Sequence, residues 1–237
     1  MATEKHGKKY REAEKQVEHG REYQPAEGVE LVRRVSTTNF DGTIELHLKL
    51  GVDVRHAEQQ VRGVAVLPHG TGKQPRVIAF AEGEKAREAE EAGADVVGGA
   101  ELVQRIQGGW LEFDVAVATP DMMKNITSLG RVLGPRGLMP NLKTGTITQD
   151  LAHAIEEIRK GRVEFRTDRT GIIHVPVGKA SFEGPQLLEN LTTMVDAVVQ
   201  ARPPAAKGVY VKSATLSPTM GPSVPLEPAA TAALKAS

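Results

Sequence analysis

Residues 76–81 read RVIAFA and residues 114–119 read DVAVAT, two short runs that are apolar almost throughout. A strand of that kind is covered on both faces, the habit of parallel strands in layered α/β folds. Helix formers lie around them. EGEKAREAEEAGA (82–94) stops at Gly93, AELVQRIQGG (100–109) stops at a glycine pair, and PDMMKNITSLGRVLG (120–134) opens with proline at its first helical position. QDLAHAIEEIRKG (149–161) leads out. Strand and helix in turn predict a Rossmann-like three-layer α/β/α unit over 68–159.

The flanks have another style. TIELHLKL (43–50) alternates strictly, with Ile44, Leu46, Leu48 and Leu50 on one face and Glu45, His47 and Lys49 on the other. RVEFRT (162–167), IHVPV (173–177) and VYVKSATLS (209–217) alternate as well, which suits antiparallel strands with one wet face. Helical patterns fall at about 8–19, 26–36 and 184–201. One α+β domain built from 1–67 and 160–224, with the α/β unit inserted at a surface loop, accounts for both ends. PLEPAATAALKAS (225–237) is rich in Pro and Ala and reads as a disordered tail.

Composition excludes some chemistries. There is no cysteine, hence no disulfide, thiolate metal site or cysteine nucleophile. No apolar run is long enough to span a bilayer, and the charged start MATEKHGKKYREAEK lacks a signal-peptide core, so a cytoplasmic protein without membrane partners is expected. Thirty basic residues balance thirty acidic ones, which by itself argues mildly against a polyanion partner. The distribution is uneven: the middle is net acidic, the last third net basic, and RKGRVEFRTDR (159–169) is the densest basic run.

LGPRGLMPNLKTGT (133–146) invites comparison with a phosphate-binding loop. That loop needs glycine directly before its lysine, whereas Leu142 precedes Lys143, and Pro135 and Pro140 remove amide donors. The seven histidines are scattered without metal-ligand spacing, and a lone His47 or His174 on the polar face of a strand is an ordinary solvated residue. No nucleophile elbow or dinucleotide fingerprint is present. No catalytic residue, metal or cofactor is expected. A nucleotide-binding enzyme using the Rossmann-like unit is the rival reading, and a protein–protein adaptor a third.

Four regions together carry a resemblance. They are STTNFDGTIELHLKLGVD (36–53), RGVAVLPHGTGKQPRV (62–77), GRVLGPRGLMPNLKTGT (130–146) with EFRTDRTGIIHVPVGKASF (164–182), and SPTMGPSV (217–224). In order and spacing they resemble the family of bacterial large-subunit ribosomal protein one, over about residues 5–224. The resemblance implies a split α+β domain that binds 23S rRNA and an inserted Rossmann-like domain. It also implies a mobile stalk of the large ribosomal subunit that moves with departing exit-site tRNA, and repression of the chain's own operon through its mRNA.

By position, the resemblance implies that Phe40, Thr43, Ser213, Thr219, Met220 and Gly221 face RNA, with Arg166, Asp168, Arg169 and His174 around the matching strand pair. Lys49 adds attraction. Hydroxyls suit 2′-OH groups, glycine permits close approach, and Phe40 and Met220 supply apolar cover. The family commonly has a basic residue where this chain has Asn39. Arg136, Asn141 and Lys143, on the stiff loop of the inserted domain, are expected to touch RNA or tRNA.

Overall fold

The computed structural model describes residues 7–18 and 20–236, with Lys143 described by its main chain only. The chain divides into two units, residues 1–72 with 163–237, and residues 73–162.

Helix α1 (Lys8–Glu14) opens the first unit and buries Ala13. Helix α2 (Pro25–Arg34) starts on proline and buries Pro25, Gly28, Val29 and Val32, an i, i+3, i+4, i+7 stripe. Strand β1 (Thr43–Leu50) follows, then β2 (Arg62–Val66). In β1 the four expected inward residues are at most 1% exposed.

The second unit runs β3 (Val77–Phe80), α3 (Glu84–Glu91), β4 (Val96–Gly98), α4 (Ala100–Gln107) and β5 (Val115–Ala118). Two single-turn helices, α5 (Met123–Ile126) and α6 (Gly130–Leu133), and then α7 (Leu151–Lys160) complete it. The strands form a parallel sheet in the order β4-β3-β5. Successive residues of β3 enter different cores. Val77 and Ala79 meet Ala89 of α3 and Leu151, Ala154, Ile155 and Ile158 of α7, while Ile78 and Phe80 meet Leu102, Ile106, Ile126, Leu129 and Leu133. That is the three-layer arrangement expected of strands apolar on both faces. Asp150 caps α7 by accepting from the His153 amide at 3.1 Å, and Gly161 ends it at φ 104°.

The stretch expected as one helix from Pro120 is instead broken into 3-10 and α turns. The Thr127 hydroxyl donates to the Met123 carbonyl (2.7 Å) and that of Ser128 to Asn125 (2.8 Å). Side chains thereby compete for helix acceptors, and Gly130 adds little helix preference.

Returning to the first unit, the chain forms β6 (Arg162–Arg166), β7 (Ile172–Lys179), α8 (Gly184–Gln200), β8 (Val211–Pro218), β9 (Val224–Leu226) and α9 (Pro228–Ala232). The main sheet is antiparallel in the order β7-β1-β8-β9, and β2 pairs with β6. Helices α2 and α8 cover one face of the main sheet. A reciprocal Glu183–Gln186 capping box starts α8, which buries Leu187, Leu191, Met194, Val195 and Val198. Asn190, fully buried, is satisfied by donating to the carbonyls of Gly70 and Val177 and accepting from the His69 amide.

The segment from 225 onward departs from the expected disordered tail. Val224 and Leu226 point into the core from β9, and α9 follows with Pro228 at its first turn. The Thr231 hydroxyl donates to the Glu227 carbonyl at 2.7 Å and is itself buried. A few apolar residues at the right spacing outweigh a Pro/Ala-rich composition when a sheet edge and a helix groove are there to receive them.

Candidate nucleic-acid interface

Opposite the buried residues of β1, the main sheet turns a second, partly exposed face. Along β1 it presents Thr43, Glu45, His47 and Lys49; across from these lie Ser217, Thr215 and Ser213 on β8. His174 on β7 stands directly opposite His47. Alternation alone produces this stripe of hydroxyls, imidazoles, one carboxylate and one ammonium above an aliphatic core.

At the Thr43 end, two loops are fastened together. The Thr219 amide and hydroxyl both donate to the Thr43 carbonyl (2.9 and 3.0 Å), and the Thr43 amide donates back to Thr219 Oγ1 at 2.9 Å. Lys179 Nζ donates to Thr43 Oγ1 at 3.0 Å, and Asp41 accepts from the Ser181 hydroxyl and amide. On this frame Phe40 is 59% exposed and Met220 is 78% exposed. Met220 has φ 59°, the single positive φ outside glycine among the described residues. A large side chain held in that backbone conformation and displayed to water is not accounted for by packing.

The structure refines two roles. The Thr219 hydroxyl is engaged with Thr43, so the residue acts first as a brace. A Cβ on Gly221 would stand 2.6 Å from Pro218 Cγ and 3.0 Å from the Val35 carbonyl, so the turn itself demands glycine. Asn39 also acquires a cation, because Lys9 Nζ of α1 donates to Asn39 Oδ1 at 3.2 Å.

Farther along the face, His47 and His174 place their Nδ1 atoms 2.8 Å apart, with the rings edge to face. Burial, and then the neighbouring His174, lowers the pKa of His47, partly offset by Glu45. The Lys49 ammonium donates to the Thr170 carbonyl. Asp168 builds the turn before β7: its Oδ1 accepts from the amides of Ile172 and Thr170, and the Thr170 hydroxyl reaches both oxygens. Chiefly the Ile172 amide holds this carboxyl down at about 2. Arg166 and Arg169 flank the turn and are exposed. Lys9, Lys179 and His47 escaped sequence reasoning because their placement depends on strand pairing and on contacts between distant segments.

Arg136 and Asn141 lie in the second unit, apart from this face in the unit division. Arg136 is exposed beside Gly137, which takes φ 71°. The Asn141 main chain is tied to Thr146, its amide donating to Thr146 Oγ1 at 2.7 Å. The side chain of Lys143 lies outside the described residues. The Thr144 hydroxyl donates inward to the Asn141 carbonyl and the residue is buried, which is not how a phosphate loop displays its threonine. A nucleotide on this sheet would sit beyond the carboxyl ends of its strands, where Glu82 and Glu84 follow β3.

No described helix is long and apolar enough to cross a membrane. The family model described as Ribosomal protein L1p/L10e family matches residues 32–222, which take in the open sheet face, both fastened loops and the whole second unit. The chain therefore belongs to the ribosomal protein L1p/L10e family, structural proteins rather than enzymes, and is an RNA-binding protein of the large ribosomal subunit.

Proposed function

We propose that the unit formed by both chain ends grips 23S rRNA with the Phe40–Thr43 and 217–221 loops and the open face of the main sheet. The observation that carries this reading is the pair of exposed apolar side chains, Phe40 and Met220, both within three residues of the Thr43–Thr219 brace. A base stacked on Phe40 and capped by Met220 removes that surface from water without moving the frame. Lys9 supplies the charge that Asn39 lacks. Ser213, Thr215 and the imidazoles offer the donors and acceptors that read 2′-OH groups and phosphates. Recognition of this kind rests on shape and hydrogen bonds, which is why a chain of zero net charge can perform it.

In this reading the second unit forms the outer part of a mobile stalk, and Arg136, Asn141 and Lys143 meet the departing exit-site tRNA. The same RNA face represses translation of the chain's own operon by holding a similar fold in its mRNA. The protein works on cytoplasmic ribosomes.

The test is Phe40→Ala and Met220→Ala in the full chain. Both side chains are exposed, so melting temperature should hold, whereas affinity for a large-subunit rRNA fragment should fall by about 1–3 kcal/mol for the lost stacking. Folded variants with unchanged affinity would remove these loops from the interface.

A further inference from the structure

Glu45, His47 and Thr215 occupy the middle of the open sheet face, between the Thr43 brace and Lys49. His47 and His174 hold their Nδ1 atoms 2.8 Å apart, so in the neutral pair one ring donates a single proton and the other accepts it. Which ring donates fixes what the two outer nitrogens can offer. We infer that His47 is the donor and that its bare Nε2 is an acceptor for a ribose 2′-hydroxyl, which makes His47 a residue that distinguishes RNA from DNA. This deepens the rRNA-binding reading above and rests on it.

The two neighbouring carboxylates decide the tautomer. His174 Nε2 lies 3.6 Å from Asp168 Oδ2, and His47 Nε2 lies 4.0 Å from Glu45 Oε2. Each carboxylate favours an N–H facing it, yet a neutral pair has one proton left for its two outer nitrogens. Asp168 cannot turn away. Its Oδ1 accepts from the Thr170 and Ile172 amides at 2.8 Å each, and the Thr170 hydroxyl reaches both oxygens. A bare His174 Nε2 would therefore hold its lone pair against a fixed anion. Glu45 has a side chain 51% exposed and accepts no hydrogen bond among the described residues, so it swings freely toward water. The proton goes to His174 Nε2. His174 Nδ1 then accepts from His47 Nδ1, and His47 Nε2 is left with a lone pair. Burial, and then His174, lowers the pKa of His47, which keeps this ring neutral near pH 7.

Chemistry names the group that fits. Phosphate oxygens only accept, so they cannot pair with a bare ring nitrogen, and Glu45 beside it repels their charge. A neutral O–H donor suits both. The 2′-hydroxyl is such a donor, present on every ribose and absent from DNA. Thr215, directly opposite His47 on β8, adds a hydroxyl that can accept or donate to the same sugar. The His47 side chain is 28% exposed, open to a ligand yet drier than a surface ring, where a neutral hydrogen bond gains strength.

The experiment uses the full chain and an rRNA fragment whose binding depends on Phe40. In the free chain at neutral pH, long-range ¹H–¹⁵N NMR should show His47 Nε2 without a proton and His174 Nε2 with one. A scan of single 2′-deoxy substitutions along the fragment should include a position that weakens binding by about fivefold, the loss of one neutral hydrogen bond. His47→Phe keeps a ring but no acceptor. It should weaken the all-ribose fragment to the same extent and remove the penalty at that position alone. Its slope of log K against log salt should stay unchanged, because no phosphate contact is lost. The NMR measurement needs no variant, so it decides the tautomer even where His47→Phe fails to fold. A proton on His47 Nε2, a shallower salt slope in His47→Phe, or 2′-deoxy penalties that His47→Phe leaves in place at every position overturns the assignment and spares the Phe40 reading. If the unaltered chain binds no rRNA fragment, or binds it without regard to Phe40, the underlying reading fails and this one with it.

Discussion

His47 and His174 face each other across β1 and β7 with Nδ1 atoms at 2.8 Å, so one ring must donate and the other accept. His174 Nε2 lies 3.6 Å from Asp168 and His47 Nε2 lies 4.0 Å from Glu45. Those carboxylates, together with Lys49 on β1, are the charged groups around the pair, since β8 brings only Thr215 opposite His47. Two imidazolium rings cannot keep the contact, because both Nδ1 atoms would then be donors. His47 in the folded chain therefore has a pKa below its ordinary 6.5, through burial first and His174 second. The unfolded chain takes up this proton more readily, so stability is full above pH 6.5 and declines as pH drops below it. Thermal melts from pH 8 to pH 5 should show that decline, and His47→Gln should lessen it. Parallel curves for the two proteins would mean that the pair is not linked to folding. The sequence displays both residues on polar faces, yet their pairing depends on a register between segments 127 residues apart.

At the level of single elements, β1 is the most legible part of the chain. Its strict alternation identifies both the core side and the wet side before any partner strand is known. β4 was not, because three residues are too few to show a period, and β9 with α9 lay hidden behind prolines and alanines. The packing of β9 on α2 makes that end of the chain structural. Leu226 is buried, and a Cβ on Gly28 of α2 would stand 2.2 Å from its Cδ2. Leu226→Ala should cost about 2–5 kcal/mol in denaturant unfolding by opening a cavity. Gly28→Ala alone should destabilise through overpacking. In the double variant the new methyl enters the space that the leucine vacated, so the combined loss should be smaller than the sum of the two. Additive losses would show that the helix and strand do not pack as described.

Across the whole chain, the two styles of strand correspond to two units whose cores share no residue. The core of the first unit draws on residues up to Leu67 and from Val163 onward, while both cores of the second unit draw only on residues 77–158. Charge was the least legible property at this scale. The totals cancel, and Arg55 reaches Arg166 and Arg169 only because the fold brings two distant turns to one pocket. Since β2 and β6 pair, the chain leaves and re-enters the first unit from neighbouring strands. Replacing residues 73–162 with a short Gly/Ser linker should then leave that unit folded, because the closure entropy of a short flexible loop is small beside the burial of an intact core. Circular dichroism should give a cooperative melt, and affinity for the rRNA fragment should stay within about 0.5 kcal/mol of the full chain if the second unit makes no contact with that RNA. A folded first unit with no affinity, beside a second unit that binds the fragment by itself, would transfer the interface to residues 73–162 and refute the assignment of Phe40 and Met220.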